Sequence, residues 1–213
     1  MVRSLIVRLG VVLVAGFLFA ACFGGSINKL NPNVDAVLEM DHEVSNYSCS
    51  RPQRPFYIEG IADARKKRDK VGVKVTFLTE TASVYLSHKN EDPETVTTWI
   101  REAMEKELLN SGLPVTDNVF APGTLRVSIR LLSFFVEPVH KLFVVDVHAL
   151  VALEIVVTHP SGRRVARIFS GYRNTSSLTY SDNTLHKTLK GATTAAMEAA
   201  VTGLCDLLQE VGS

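Results

Sequence analysis

The chain has 213 residues, 46% of them apolar, and carries 23 lysines and arginines against 22 aspartates and glutamates. A charge this close to balance removes any global electrostatic case for nucleic-acid binding. The length and apolar fraction support one domain with a real core.

The first residues have the layout of an export signal. Arg3 and Arg8 precede an apolar run from Leu9 to Phe23, with Ala20-Ala21 directly before Cys22. A membrane-spanning helix needs about 20 apolar residues to cross ~30 Å of hydrocarbon, whereas this run is shorter and ends in Phe23-Gly24-Gly25-Ser26. Cleavage therefore fits better than a permanent span. The segment Phe19-Ala20-Ala21-Cys22 resembles a bacterial lipobox. That resemblance implies cleavage before Cys22 and thioether attachment of diacylglycerol to its sulfur, with further acylation by palmitate-type chains. Several chains on one cysteine make a stable anchor, because each buried CH₂ contributes about 0.8 kcal/mol. Phe23 stands where an Asp would favour inner-membrane retention, so the same resemblance implies a periplasm-facing lipoprotein of the outer membrane, with the inner membrane as the alternative. An ordinary signal peptide with an incidental cysteine and an uncleaved anchor are the competing readings.

Removal of residues 1–21 leaves 21 basic and 22 acidic residues. The one local excess is Arg65-Lys66-Lys67-Arg68 with Lys70, which could meet anionic head groups or lipopolysaccharide phosphates. With Asp63 and Asp69 beside it, a solvated charged loop is the simpler reading. Of the cysteines, Cys49 and Cys205 remain, and an oxidising periplasm would permit a disulfide. Cys205 also falls in the apolar pattern of the last helix, which leaves a buried free thiol equally open.

Residues 22–54 show no sustained period and include Gly, Asn, Pro and Ser, which predicts a lipidated cysteine followed by a tether and irregular structure; one domain then spans 55–213. Phe56, Ile58 and Ile61 begin a strand-like segment that leads through Asp63 and the basic cluster to Val71, Val73, Val75 and Phe77, which alternate with polar or small residues. A further short strand is indicated at Val84 to Leu86. After Asn90 the period becomes helical. Asp92 suits an N-cap, Pro93 the first helical position and Glu94 the positive helix end. Val96, Trp99, Ile100, Ala103, Met104 and Leu108 then recur at helical spacing, and Gly112 can supply a left-handed stop. Trp99 reads as core before it reads as a ligand-stacking residue.

Leu125, Val127, Ile129 and Leu131 alternate with Arg126, Ser128 and Arg130, and the alternation slips at Leu132 as at a bulge. Glu137-Pro138-Val139-His140 reads as a loop, Val145 to Val157 as a long strand, His159-Pro160-Ser161-Gly162 as a turn, and Val165 to Tyr172 as a third strand. Two short connections in succession require antiparallel neighbours. Leu185, Leu189, Ala192, Ala196, Ala200, Leu204 and Leu208 trace a final helix whose central alanines allow close packing on a sheet. The expected fold is α+β: an antiparallel sheet of four to five strands with two long amphipathic helices packed on one face.

No metal-ligand spacing, nucleophile elbow or phosphate-cradling loop occurs, so neither a metal, a cofactor nor catalytic residues are expected. Asp146 and His148 share a strand face and could pair as base and orienting carboxylate. With the pairing centred on Glu137–His140, however, Arg130 would lie near Asp146 and Ser128 near His148, an exposed cross-strand ladder worth about 0.2 to 1 kcal/mol per pair.

The chain resembles the YajG-type bacterial lipoproteins. The resemblance lies in the lipobox, in Ile61-Ala62-Asp63-Ala64-Arg65 leading to Val71-Gly72-Val73, in Leu108-Leu109-Asn110-Ser111-Gly112-Leu113-Pro114-Val115, and in Ser170-Gly171-Tyr172 before the long last helix. More distantly, it resembles auxiliary lipoproteins of lipid-transporting ABC systems. The resemblance implies a non-enzymatic envelope assembly or binding component, or an accessory to lipid or lipopolysaccharide transport. Either has an envelope protein or transporter as its partner, and neither a nucleic acid. Only Cys22 carries a role over.

Overall fold

In chain order, the chain forms β1 (Ala36–Leu38), β2 (Phe56–Asp63), β3 (Gly72–Thr76), β4 (Thr79–Leu86), α1 (Pro93–Asn110), β5 (Leu125–His140), β6 (Val145–Thr158), β7 (Arg164–Ser177) and α2 (Asp182–Gly212). This computed structural model describes residues 35–38, 40, 49, 54–76, 79–86, 93–118, 120, 122–178 and 181–212. The export signal, Cys22 and the Asp92 cap lie outside them.

The expected antiparallel sheet of four to five strands is overturned. The sheet has seven strands and is mixed, in the order β1-β4-β3-β5-β6-β7, with β2 also paired to β5. β5, β6 and β7 are antiparallel neighbours, as are β3 and β4, because few residues separate the strands of each pair. β2 and β3 nevertheless run parallel to β5, and β1 runs parallel to β4. The chain between β3 and β5 includes β4 and α1, long enough to return the strand in the same direction. β2 pairs with the first half of β5, Leu125–Leu131, and β3 meets it at Val136. The two therefore act as one long strand beside β5, interrupted by the loop that holds the basic cluster.

β1 lies within the segment read as tether, and the Trp99 indole N–H donates to the Met40 carbonyl at 3.0 Å. A three-residue strand is too short for its period to register in sequence.

The β5–β6 pairing also differs from the expected centre. β5 continues through Glu137–His140, and the turn is Lys141–Val144. Pro138 is tolerated because of the side it faces. The Val136 N–H donates toward β3, to the Val71 carbonyl at 2.9 Å, so two residues on the missing Pro138 donor faces the same side, beyond the one β3 pairing. Arg130 consequently opposes Glu154, Ser128 opposes Val156, and His148 opposes Glu137. The slip at Leu132 is a β-bulge, between Leu131 and Ser133.

One face of the sheet carries both helices. Phe134, Val151 and Gly171 lie in one row across β5, β6 and β7. Trp99 of α1 packs on Phe134 with ring centroids 5.8 Å apart, and α2 lies over Gly171. A Cβ on Gly171 would stand 1.9 Å from the Ala192 carbonyl oxygen, so helix and strand approach as closely as backbones can. Ser181 and Thr184 cap α2 reciprocally through side-chain bonds to each other's backbone N–H. Gly112, at φ +72°, ends α1 as its sequence position predicts.

Candidate functional site

The same strands turn their other face outward, and α1 and α2 do not cover it. On β6 the core face carries Val147, Ala149, Val151, Leu153 and Ile155, all essentially inaccessible. The intervening positions, His148 and Leu150 among them, point away, and on β7 Ile168 and Tyr172 share their parity. Register sets Phe135, Leu150 and Tyr172 in one row across three strands. Leu150 is 43% exposed, Tyr172 56% and Ile168 62%. Together they make an apolar stripe on the outward face.

The interrupted strand builds one border of this face. Between β2 and β3 the chain departs from β5 opposite the bulge, and a buried ion pair holds the excursion in shape. The Asp63 carboxylate accepts from Arg65 Nε at 3.0 Å and Nη2 at 2.9 Å, with both side chains nearly inaccessible. Arg65 Nη2 also donates to the Arg68 carbonyl, and Arg68 Nε to the Arg65 carbonyl. Arg65 is therefore a structural residue of the loop and not an anionic-lipid contact: its charge is spent on Asp63, two residues away, and is closed off from solvent. Lys66, Lys67 and Arg68 are exposed. Lys67 reaches over the Phe135 ring, with Nζ 4.6 Å from its centroid. Between loop and strand lies a depression of about 500 Å³, lined by Lys66, Lys67, Leu132, Ser133, Phe135 and Glu137.

Several polar groups on this face pair with one another. Arg130 pairs with Glu154 at 2.7 Å. Lys141 pairs with Asp146, whose carboxylate also accepts from Ser176 Oγ at 2.6 Å. The Lys141 ammonium first, and then the Ser176 hydroxyl, hold the Asp146 carboxyl below its ordinary value against an opposing desolvation by burial. His148 Nδ1 is bonded instead to the Tyr172 hydroxyl at 2.5 Å. Asp146 thus does not orient His148, and the two do not form a base with its carboxylate. Both lie on the outward face, Asp146 nearly buried there, with partners other than Arg130 and Ser128, so the exposed ladder expected from the sequence is not the one formed.

Cys49 and Cys205 form a disulfide, with Cα atoms 6.2 Å apart and a sequence separation of 156. It fastens the segment ahead of β2 to α2, and the Cys49 N–H donates to the Ser111 carbonyl just past α1. Cys22 lies outside the described residues. Within them, no helix is long and apolar enough to cross a membrane, and no three His, Cys, Asp or Glu side chains gather as metal ligands.

Sequence reasoning missed the outward stripe. The signal was present in β7, where Ile168 and Tyr172 stand on the parity opposite Phe169 and Gly171. A strand with large apolar residues on both parities cannot bury them all against one layer of helices.

No protein-family model matches the chain, and no curated protein does. Among solved structures it is similar to a Xanthomonas campestris protein described as DUF330. The TM-score is 0.56 at 13% identity, over 83% of this chain and 97% of that one, and the two share a fold. A structure described as an uncharacterized protein matches with a TM-score of 0.46 at 9% identity, over 80% and 99% of the two chains. A lipoprotein from Neisseria meningitidis matches with a TM-score of 0.26 at 10% identity, over 72% and 99%. These two scores are too low to support any conclusion.

Proposed function

We propose that the mature chain is a non-enzymatic lipoprotein, held at the outer membrane through acylated Cys22, that binds another envelope component on the open face of β5, β6 and β7. The observation that carries this reading is the row of half-buried Phe135 and exposed Leu150 and Tyr172, with exposed Ile168 beside it, on the face opposite both helices. Buried against a partner, such a stripe supplies the apolar centre of an interface, while Arg130, Glu154 and the basic loop supply its polar rim. The resemblance to YajG-type lipoproteins supports the same reading.

A second reading is an accessory lipoprotein of a lipid or lipopolysaccharide transport system. Lys66 and Lys67 beside Leu132 and Phe135 favour it, since an anionic head group and an acyl chain would find matching chemistry side by side.

Two measurements test these readings. Mass spectrometry of the N-terminal peptide should find a diacylglyceryl thioether on Cys22; an intact N-terminus or an unmodified cysteine refutes the anchor. Pull-downs from detergent-solubilised envelope should recover a stoichiometric partner with the wild type and lose it with Ile168→Asp/Tyr172→Asp. Transporter subunits as that partner favour the second reading. A partner retained by the variant refutes the assignment of the face.

A further inference from the structure

The end of the sheet at the β5–β6 turn gathers exposed apolar side chains that the fold does not use. In that turn Leu142 is 94% exposed and Phe143 83%, Leu178 just past β7 is 77%, and Val139 near the end of β5 is 42%. Register brings them together, because Val145 pairs with His140 on one side and Ser177 on the other. The charges there are compensated. Lys141 pairs with Asp146, and the buried Lys74 reaches Asp182 at 2.8 Å. The strands behind the turn are paired over their full length, so the tip is held out rigidly.

The direction of β1 links this tip to the anchor. Ala36, Val84, Gly72, Val136, Ala149 and Arg173 form one row across the sheet. β5 runs from that row toward the tip, and β1 runs the opposite way, so Ala36 is the end of β1 nearest the tip. Thirteen residues separate Cys22 from Ala36, with a reach of about 45 Å. The tip stands about 20 Å from the row in the direction from which the chain enters β1. The far end, with the His159–Arg163 turn, stands about 30 Å away on the other side and would require the chain to double back. That turn carries Arg163 and Arg164, while the exposed Leu109 lies on α1 near Arg101, Glu105 and Asp117 and Phe120 in the loop ahead of β5.

We infer that Leu142, Phe143 and Leu178 form a second, non-covalent membrane contact, seated in the interface of the bilayer to which Cys22 is acylated. This rests on the reading of Cys22 as the lipidated residue. Two attachments fix an orientation that one flexible tether cannot. The tip meets the lipid, and the stripe Phe135, Leu150 and Tyr172 stands out from the bilayer toward a partner.

The test uses the full-length lipidated protein in phosphatidylethanolamine and phosphatidylglycerol vesicles with brominated acyl chains. Phe143→Trp places a reporter in the tip, Arg163→Trp one at the far end, and the wild type supplies the background of the half-buried Trp99. Phe143→Trp should be quenched about twofold more than the wild type, and Arg163→Trp should not. A bound protein with Phe143→Trp unquenched, or with Arg163→Trp quenched instead, overturns the inference and leaves the anchor standing. Blue-shifted Phe143→Trp emission without vesicles, together with a dimer in sedimentation that Leu142→Asp/Phe143→Asp dissolves, overturns it in favour of contact between copies. Protein that stays off the vesicles with an unmodified Cys22 defeats the anchor and this inference together.

Discussion

The contact between α2 and β7 is the most demanding in the fold, and replacing Gly171 by alanine measures it. The new methyl would stand 1.9 Å from the Ala192 carbonyl oxygen and 2.5 Å from the Ala196 amide nitrogen, both backbone atoms of a capped helix. Ordinary contact begins near 3.4 Å, so α2 must rise by about 1.5 Å over this point or β7 must bend away. A gap of even 0.5–1 Å forfeits roughly a quarter to a half of each dispersion contact across it, and the neighbouring Ala192, Ala196 and Ala200 are too small to refill the space. We expect Gly171→Ala to cost about 3 kcal/mol or more, at the upper end of overpacking penalties. Gly203→Ala is the control. Its methyl would meet the Phe169 ring at 2.0 Å, but that ring is the end of a side chain on an edge strand and can turn aside. About 1 kcal/mol is expected there. Urea unfolding followed by circular dichroism reads both. Wild-type stability in Gly171→Ala, or a larger loss in Gly203→Ala, would refute the claim that α2 rests on the strand backbone.

The Cys49–Cys205 bridge predicts no free thiol in the denatured, lipidated protein; two free thiols would remove it. Closing so long a loop restricts the unfolded chain strongly, and Cys49→Ala/Cys205→Ala should lose about 2–5 kcal/mol of unfolding free energy. Asp146 predicts a pH dependence. Its folded pKa is depressed by Lys141 and Ser176, so its stabilisation is present above the ordinary aspartate range and fades as pH falls through the folded value. Asp146→Asn should therefore melt lower than the wild type at neutral pH and converge with it in acid. A difference of constant size down to strongly acid pH would contradict that assignment.

What could be read from the chain was whatever one strand or helix records about its own surroundings. Leu125 to Leu131 alternate because one face of β5 is buried, Leu132 breaks the pattern because a bulge lies there, and Gly112 stops α1 because a left-handed residue is needed. Strand direction leaves no such mark. Whether β2 lies parallel or antiparallel to β5 depends on the length of chain between them, and the alternation of Phe56 to Ile61 is the same in either case. Reading Val71 to Phe77 as a strand did not reveal that β2 and β3 share one edge of β5, since that requires Arg65 to turn inward onto Asp63 and close the loop between them. Of the proposed anchor at Cys22, which lies outside the described residues, the sequence is the whole record.

The register error at the β5–β6 turn has a more particular cause. Glu137-Pro138 has turn composition yet lies inside β5, and Lys141-Leu142-Phe143-Val144 has strand composition yet makes the turn. Turns are ordinarily polar because they face water, and composition identifies them only so far as that holds. Leu142 and Phe143 break the rule at 94% and 83% exposure, in a hairpin whose strands are otherwise fully paired. In water alone, polar residues at these positions would cost the fold nothing, because neither side chain contributes to the core. The residues that hid the turn from sequence reasoning are thus the ones whose chemistry suits an apolar medium outside the protein, which is what the bilayer contact we propose would supply at this end of the sheet.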